Sequence, residues 1–261
     1  MGRGHPSPFT NEVTMNLVIE KPVTIITPTV GSPKLLDCAR SVRNQTYKCK
    51  HVVVVDGPEH WKEATKNIPI LDEITHMYVT PENTGANGFN GQRIYAAYPH
   101  LVNSDYIAFL DEDNWYEPDH IQTLVETIEK NNLDFAFSLR KVFNPNKTFV
   151  CNDECESLGK WPIFLSRRSQ YGNQYLVDTS SYLFKREFIQ KTCHLWHSGA
   201  WGEDRRYYYA VKDHAKYDTN GKYTLCYRLD GNPNSVSAQF FIEGNKTQES
   251  YYGGNYPWRK T

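Results

Sequence analysis

The chain has 261 residues, a formal net charge of −1 and 39% hydrophobic residues. That length suits one large domain or two small ones, and the near-neutral balance argues against a general binder of nucleic acid or acidic membranes. No apolar run approaches the ~18 residues needed to span a bilayer, and the first residues lack the apolar core of a secretory signal. Aromatics reach 14%, with 18 Tyr, which suits a surface that stacks on rings or sugars as well as a Tyr-filled core. Cys38, Cys49, Cys151, Cys155, Cys193 and Cys226 form no CxxC pair. They read as reduced thiols of a cytoplasmic protein, not as a disulfide scaffold. A zinc site drawn from Cys151, Cys155, His194 and His197 is disfavoured because the two pairs lie far apart.

Residues 1–20 read as a disordered extension, punctuated by Gly2, Gly4, Pro6 and Pro8. Residues 22–29 read as a buried strand, followed by a loop that Pro28, Gly31 and Pro33 keep out of helix. Leu35, Leu36, Ala39 and Val42 then recur at helical spacing. The run His51-Val52-Val53-Val54-Val55 predicts a second strand covered on both faces, as in a parallel sheet, and it ends in Asp56-Gly57. Strand, helix and strand within about 30 residues make a βαβ unit. A third strand is expected over 74–79. A loop rich in Gly and Asn, 83–91, leads into a helix through about residue 98 with Ile94, Ala97 and Tyr98 on one face. Its glycines do not form GxGxxG and follow the third strand, which excludes a dinucleotide-binding reading. A polar loop ahead of a helix, with Asn87 in it, still suits the approach of a phosphate or sugar.

The run Tyr106-Ile107-Ala108-Phe109-Leu110 ends in Asp111-Glu112-Asp113, with a helix expected at or near Pro118. Three carboxylates at the carboxyl end of a buried strand repel one another. A divalent cation would relieve that, and hard oxygen ligands suit Mg2+ or Mn2+. The alternative is a solvated loop that favours the helix start through its dipole. Ile121, Leu124, Val125 and Ile128 mark an amphipathic helix. Residues 135–139 and 148–150 read as strands around an Asn144-Pro145-Asn146 turn, 152–176 as irregular, 177–184 as a strand and 186–192 as a short helix. Gly202-Glu203-Asp204-Arg205-Arg206 opens a Tyr-rich helix, and 223–228 is a late strand. The tail from Gly231 reads as irregular, lying across the site or mobile. No repeat or linker divides the chain. The expected organisation is one domain over 21–261, with a nucleotide-binding half (21–115), an acceptor-binding half (116–230) and the tail (231–261).

In order, Thr27-Pro28-Thr29, Asp56-Gly57, Arg93, Asp111-Glu112-Asp113 and Gly202-Glu203-Asp204 resemble the strand-end residues of GT-A nucleotide-diphospho-sugar glycosyltransferases, similar to the family 2 and spore-coat-type enzymes. The resemblance runs from about 22 to 230. Its most specific part, Glu112-Asp113-Asn114-Trp115-Tyr116-Glu117-Pro118-Asp119, resembles the family's DxD element and the helix start after it. The resemblance implies an α/β fold with a mostly parallel Rossmann-like sheet, flanking helices and a smaller acceptor-side mixed sheet. It also implies metal-dependent transfer of a sugar from a UDP-, dTDP- or GDP-linked donor to a hydroxyl of a glycan acceptor. Carried over, Thr27, Pro28 and Thr29 line the base and ribose pocket, and Asp56 accepts from the base ring N–H. Arg93 approaches the diphosphate or braces the acidic loop. Glu112 contacts the ribose, and Asp113 binds Mn2+ or Mg2+, with Asp111 beside it. Asp178, Thr179, Ser180 and Trp201 shape the sugar or acceptor pocket. Asp204 is the acceptor-side base, with Glu203 its rival. Unlike many GT-A enzymes, the chain has no His after Tyr227, which leaves the metal to Asp113 and the donor phosphates.

Elementary chemistry agrees with these roles. Charge builds on a leaving diphosphate, where a divalent cation stabilises it. An acceptor hydroxyl needs a base within hydrogen-bond reach, and no separate nucleophile is evident, so the expectation is one-step inversion. Each residue also has a structural reading: a turn at Asp56-Gly57, a surface ion pair at Arg93, a helix cap at Glu203 or Asp204, strand-end polarity at 178–180. Two other functions compete. A nucleotidyltransferase would need a Gly-rich basic loop after the first strand, and Thr29-Val30-Gly31-Ser32-Pro33-Lys34 has one Gly and one Lys. A non-catalytic nucleotide or carbohydrate module would have no use for both a metal acid and Asp204.

Overall fold

The computed structural model describes residues 21–68, 75–164, 173–196, 199, 202–231 and 235–260. The extension 1–20, His197 and Trp201 lie outside them. Strands β1 (Val23–Thr29), β2 (Cys49–Val55), β3 (Thr75–Val79) and β4 (Tyr106–Phe109) pair in parallel in the order β3-β2-β1-β4. Helix α1 (Leu35–Arg43) joins β1 to β2 and α2 (Trp61–Asn67) joins β2 to β3. Sequence periodicity gave no sign of α2, which is polar and buries only Ala64. Helix α3 (Gln92–Ala97) precedes β4.

The valine run is unbroken because both faces of the sheet are covered. On one face Ile25, Val53 and Ala108 pack under α1 (Leu35, Cys38, Val42) and α4 (His120–Asn131), which presents Ile121, Leu124 and Ile128. On the other, Ile26, Val54 and Phe109 meet Ile94 and Tyr95 of α3 together with Trp196 and Tyr207. Each such fully buried aliphatic side chain contributes roughly 1.5–3 kcal/mol. Helix α4 starts after a two-residue strand, β5 (Trp115–Tyr116), and stops where Asn132 turns left-handed (φ 48°).

The expected smaller second sheet is instead a continuation of the first. Strand β8 (Tyr182–Lys185) pairs antiparallel with β4 through Ala108–Leu183 and with β6 (Phe135–Phe143) through Ala136–Leu183, so one strand bridges the two halves. Beyond β6 follow β9 (Tyr217–Arg228) and β5, and β7 (Phe149–Asn152) pairs with the far end of β6. The result is one nine-stranded mixed sheet. Helices α5 (Arg186–Thr192) and α6 (Glu203–Val211) lie where the sequence puts them.

The tail is not irregular over its described residues. Ser237 caps the N-terminus of a 15-residue helix, α7 (Ala238–Tyr252), and Gly253 (φ 60°) ends it. Phe241 and Trp258 are fully buried. Gly244 packs so closely that a Cβ there would fall 2.6 Å from Cys155 Sγ.

Candidate active site

The carboxyl ends of β1, β2 and β4 open onto a cavity of about 630 Å3, whose far wall is built from the loop before β8, the start of α6 and the end of β9. Parallel strands end together on one side, so the loops that follow them share that side. Of the residues expected here, Pro28, Thr29, Asp56, Asp111, Glu112 and Asp113 line the cavity from the first half. Asp178, Thr179, Glu203 and Asp204 line it from the second.

Thr27 does not line it. It shares the face of Thr29 but lies one repeat deeper, buried under α1, bonded to His51 Nε2 at 2.9 Å and within 3.6 Å of Cys38 Sγ. Thr29, at the strand end, gives its hydroxyl proton to Glu112, whose Oε2 also accepts the Ser32 N–H (3.1 Å). Glu112 therefore clamps the loop after β1, where a ribose contact was expected. Burial pushes its carboxyl up, and these hydrogen bonds oppose that.

Asp56 is held by the loop after β3. Its Oδ1 accepts from Thr84 N (2.7 Å) and the Thr84 hydroxyl (2.8 Å), and its Oδ2 from Gly85 N (2.7 Å). Arg93 braces the same loop from outside the cavity wall, donating to the Thr84 carbonyl (3.1 Å) with its guanidinium 3.6 Å from the Phe89 ring centre. Asn87, also expected at the nucleotide, is a left-handed turn residue (φ 63°) and does not line the cavity.

Asp111 is pinned rather than free. Tyr95 donates to its Oδ1 (2.6 Å) and Ser180 to its Oδ2 (3.0 Å), while the Asp111 N–H donates back to Ser180 Oγ (3.0 Å). Ser180, expected in the acceptor pocket, is wholly buried in this task. Burial, and then repulsion from Asp178 and Asp113, pushes the Asp111 carboxyl up to about 7. Asp113 is raised mainly by burial and drawn back by the Lys34 ammonium, 3.6 Å away.

Among the described residues no group of three or more His, Cys, Asp or Glu forms a ready-made metal cage. The arrangement still fits a hard divalent cation at one point. Asp113 faces the cavity with its ion-pair partner among the described residues, Lys34, 3.6 Å away, whereas both oxygens of Asp111 are engaged by side-chain hydroxyls. A cation there would need its remaining oxygens from phosphate and water, as Mg2+ commonly does.

On the far wall, Asp204 stands in the first turn of α6 with its Oδ1 taking the Arg205 N–H (2.7 Å). Burial and then the Asp178 charge push its carboxyl up to about 7. Glu203 is buried and paired with Arg206 at 3.2 Å. Asp178 caps the turn at 179–181 by accepting from Ser180 N (2.9 Å), and it accepts from Arg140 Nη1 at 2.6 Å. The expectations did not include Arg140, Glu156 and Tyr95, all in the cavity wall. A charged residue in the apolar run before Val142 was the one sequence signal for Arg140. Glu156 and Tyr95 gave none.

The model of the family Glycosyl transferase family 2 matches residues 24–192, more than half of the chain. The glycosyltransferase GlyA of Streptococcus pneumoniae serotype 4 is 27% identical over 134 residues, 50% of this chain and 18% of that protein. An uncharacterised protein of Haemophilus influenzae is 33% identical over 103 residues, 32% of this chain and 68% of that one. Among solved structures, S. aureus TarS 1-349 in complex with UDP-GlcNAc superposes with a TM-score of 0.55 at 13% identity, covering 90% of this chain and 67% of TarS 1-349. The same fragment in complex with UDP gives 0.54 at 14% identity, with 90% and 66% covered. The likeness to TarS carries the fold, that of a GT-A glycosyltransferase with a mixed sheet flanked by helices. The sequence match carries the family: this chain belongs to glycosyl transferase family 2.

Proposed function

We infer that the protein transfers a sugar from a nucleoside diphosphate sugar to a hydroxyl of a glycan acceptor, with a divalent cation at Asp113 and inversion at the anomeric carbon. The observation that carries this is the meeting, in one cavity, of Asp113 from the nucleotide-side half and Asp204 from the other. The TarS complexes hold UDP and UDP-GlcNAc, which makes a uridine donor the first to test.

In this reading Asp56 Oδ2, which takes the Gly85 N–H, has a second lone pair for the ring N–H of uracil. The loop after β1, clamped by Glu112, runs along the donor, and Lys34 faces its phosphates. A cation on Asp113 and the phosphate oxygens would neutralise the charge of the leaving diphosphate. Asp204 takes the proton of the acceptor hydroxyl as that oxygen bonds to the anomeric carbon. The bond from that carbon to the phosphate oxygen breaks on the opposite face, and its electron pair leaves with the diphosphate. Burial that raises Asp204 toward neutrality makes it a stronger base than an ordinary carboxylate. A nucleotidyltransferase remains disfavoured by the loop at 29–34, which has one Gly and one Lys.

The test is calorimetric titration of UDP, dTDP, GDP and ADP with and without Mn2+, beside Asp113→Ala. The expected result is metal-dependent binding of one diphosphate, lost in the variant, with turnover of the matching sugar nucleotide. Binding without turnover would make the protein a binding module. No binding under any condition would overturn the reading.

A further inference from the structure

Arg140 is 2% exposed and points its three donor arms at three carboxylates from two loops. Its Nε bonds Asp153 (2.6 Å), its Nη1 bonds Asp178 (2.6 Å) and its Nη2 bonds Glu156. One cation among three acids is a costly thing to bury. An apolar replacement of such a cluster is often neutral or stabilising, so stability alone does not account for it. Its members are also not equivalent. Asp153 is saturated, with Oδ1 taking the N–H groups of Cys155 and Glu156 (both 2.9 Å) and Oδ2 taking that of Ser157 (3.0 Å) as well as Arg140. Among the described residues Asp178 accepts one bond on each oxygen, from Ser180 N and Arg140, and it faces the cavity. Each of its oxygens thus has a lone pair for a ligand hydroxyl.

The loop that carries Asp153 and Glu156 is gripped from behind by the C-terminal segment. Glu154 receives Trp258 Nε1 (2.6 Å), the Tyr223 hydroxyl (2.5 Å) and Arg259 Nη2. Asn245 of α7 donates to the Asn152 carbonyl (2.7 Å) and takes the Glu154 N–H (2.9 Å). The family match ends at residue 192, so this grip is built from residues beyond it.

We propose that Arg140 is a positioning residue that holds Asp178 in place to receive a hydroxyl of the acceptor, and that α7 and Trp258 fix Arg140's anchor loop. This rests on the transferase reading and names its acceptor contact. The fork geometry is essential to it. A lysine keeps the charge but cannot span three carboxylates in one plane.

The experiment pairs crystal structures of Arg140→Lys and Trp258→Phe with their function. Trp258→Phe keeps the ring in the core and removes one N–H, so it covers the case in which Arg140→Lys does not fold. In the crystals the Asp178 carboxylate should move by about 1 Å or more, a misplacement of the size that costs activity. With UDP-GlcNAc as donor and Mn2+ present, turnover should fall about 10-fold or more while UDP affinity stays within about twofold. An Asp178 that keeps its place in both variants would overturn the proposal, and so would a parallel loss of UDP affinity. A wild-type protein that binds no nucleoside diphosphate would sink the transferase reading instead, and the crystals would still decide the position of Asp178.

Discussion

The Tyr95 hydroxyl of α3 donates to Asp111 Oδ1 at 2.6 Å, tying the helix after the Gly/Asn loop to the acidic end of β4. The ring itself is packed against Phe109 and Trp196, with centroids 4.5 and 5.9 Å away. Tyr95→Phe keeps that packing and removes one hydrogen bond to a charged group, so a urea titration should show a loss of about 1.5–3 kcal/mol. The same bond holds the Asp111 carboxyl down against burial. Without it Asp111 should be protonated to still higher pH, and sugar transfer should weaken.

Asp204 and Glu203 separate by pH and by substitution. Burial and the Asp178 charge push the Asp204 carboxyl up to about 7, and in its proposed role it would act as a base only when ionised. The rate should therefore rise about tenfold per pH unit below that value and level off above it. Asp204→Asn should cut turnover by about 100-fold to 10,000-fold, and Glu203→Gln, whose partner is Arg206, much less. Asp178 is the like charge that raises Asp204 most, so Asp178→Asn should move the rising limb to lower pH. A limb that stays put or moves up would contradict this electrostatic account.

How much of this was readable in the sequence differs by residue. The valine run of β2, the acidic end of β4 and helix α5 are local patterns, and local patterns survive folding. Thr27 and Thr29 look alike in sequence because period-2 alternation puts them on one face. Place along the strand decides between them: both are buried, but Thr27 meets Cys38 of α1 while Thr29, at the strand end, meets Glu112 and lines the cavity. The late strand expected over 223–228 in fact begins at Tyr217, and β9 runs through Asp218-Thr219-Asn220-Gly221-Lys222. There β6 and β9 shift register, and Gly221 takes φ 72° against Lys260. The Arg140 cluster joins positions up to 38 residues apart, and no periodicity records such a meeting. Helix α7 was hidden by its weakly amphipathic sequence and by Gly244, which fits because Cys155 leaves no space for a side chain.

Gly85 should prove intolerant for a steric reason. Its φ of −82° suits any residue, but a Cβ would fall 2.6 Å from Asp56 Oδ2 and against the Asn90 carbonyl. Gly85→Ala should push the loop off Asp56 and release the Thr84 and Gly85 bonds. Nucleotide affinity should drop about 10-fold or more, equivalent to about 1.4 kcal/mol. Calorimetry with UDP and Mn2+ reads this directly. Unchanged affinity would mean that the Asp56 loop does not frame the nucleotide.

His120 offers a test that needs no ligand. It is wholly buried, stacked on Tyr116 at 3.7 Å between ring centres, with Nδ1 2.9 Å from the Thr224 hydroxyl. Burial depresses its pKa from 6.5 to about 3. Below pH 6.5 the unfolded chain takes up a proton that the folded chain refuses until about pH 3. Stability from this group is therefore complete above the unfolded value and falls as pH drops, by at most about 1.4 kcal/mol per pH unit. Asp111 and Asp204 act in the opposite sense, since their raised values let the folded state bind protons first. Comparing His120→Gln with wild type cancels that shared contribution. The stability gap between the two proteins should be widest near neutral pH and close steadily toward pH 4. A gap independent of pH would mean that His120 is protonated in the fold, and that the interior beside Tyr116 is wetter than the structure places it.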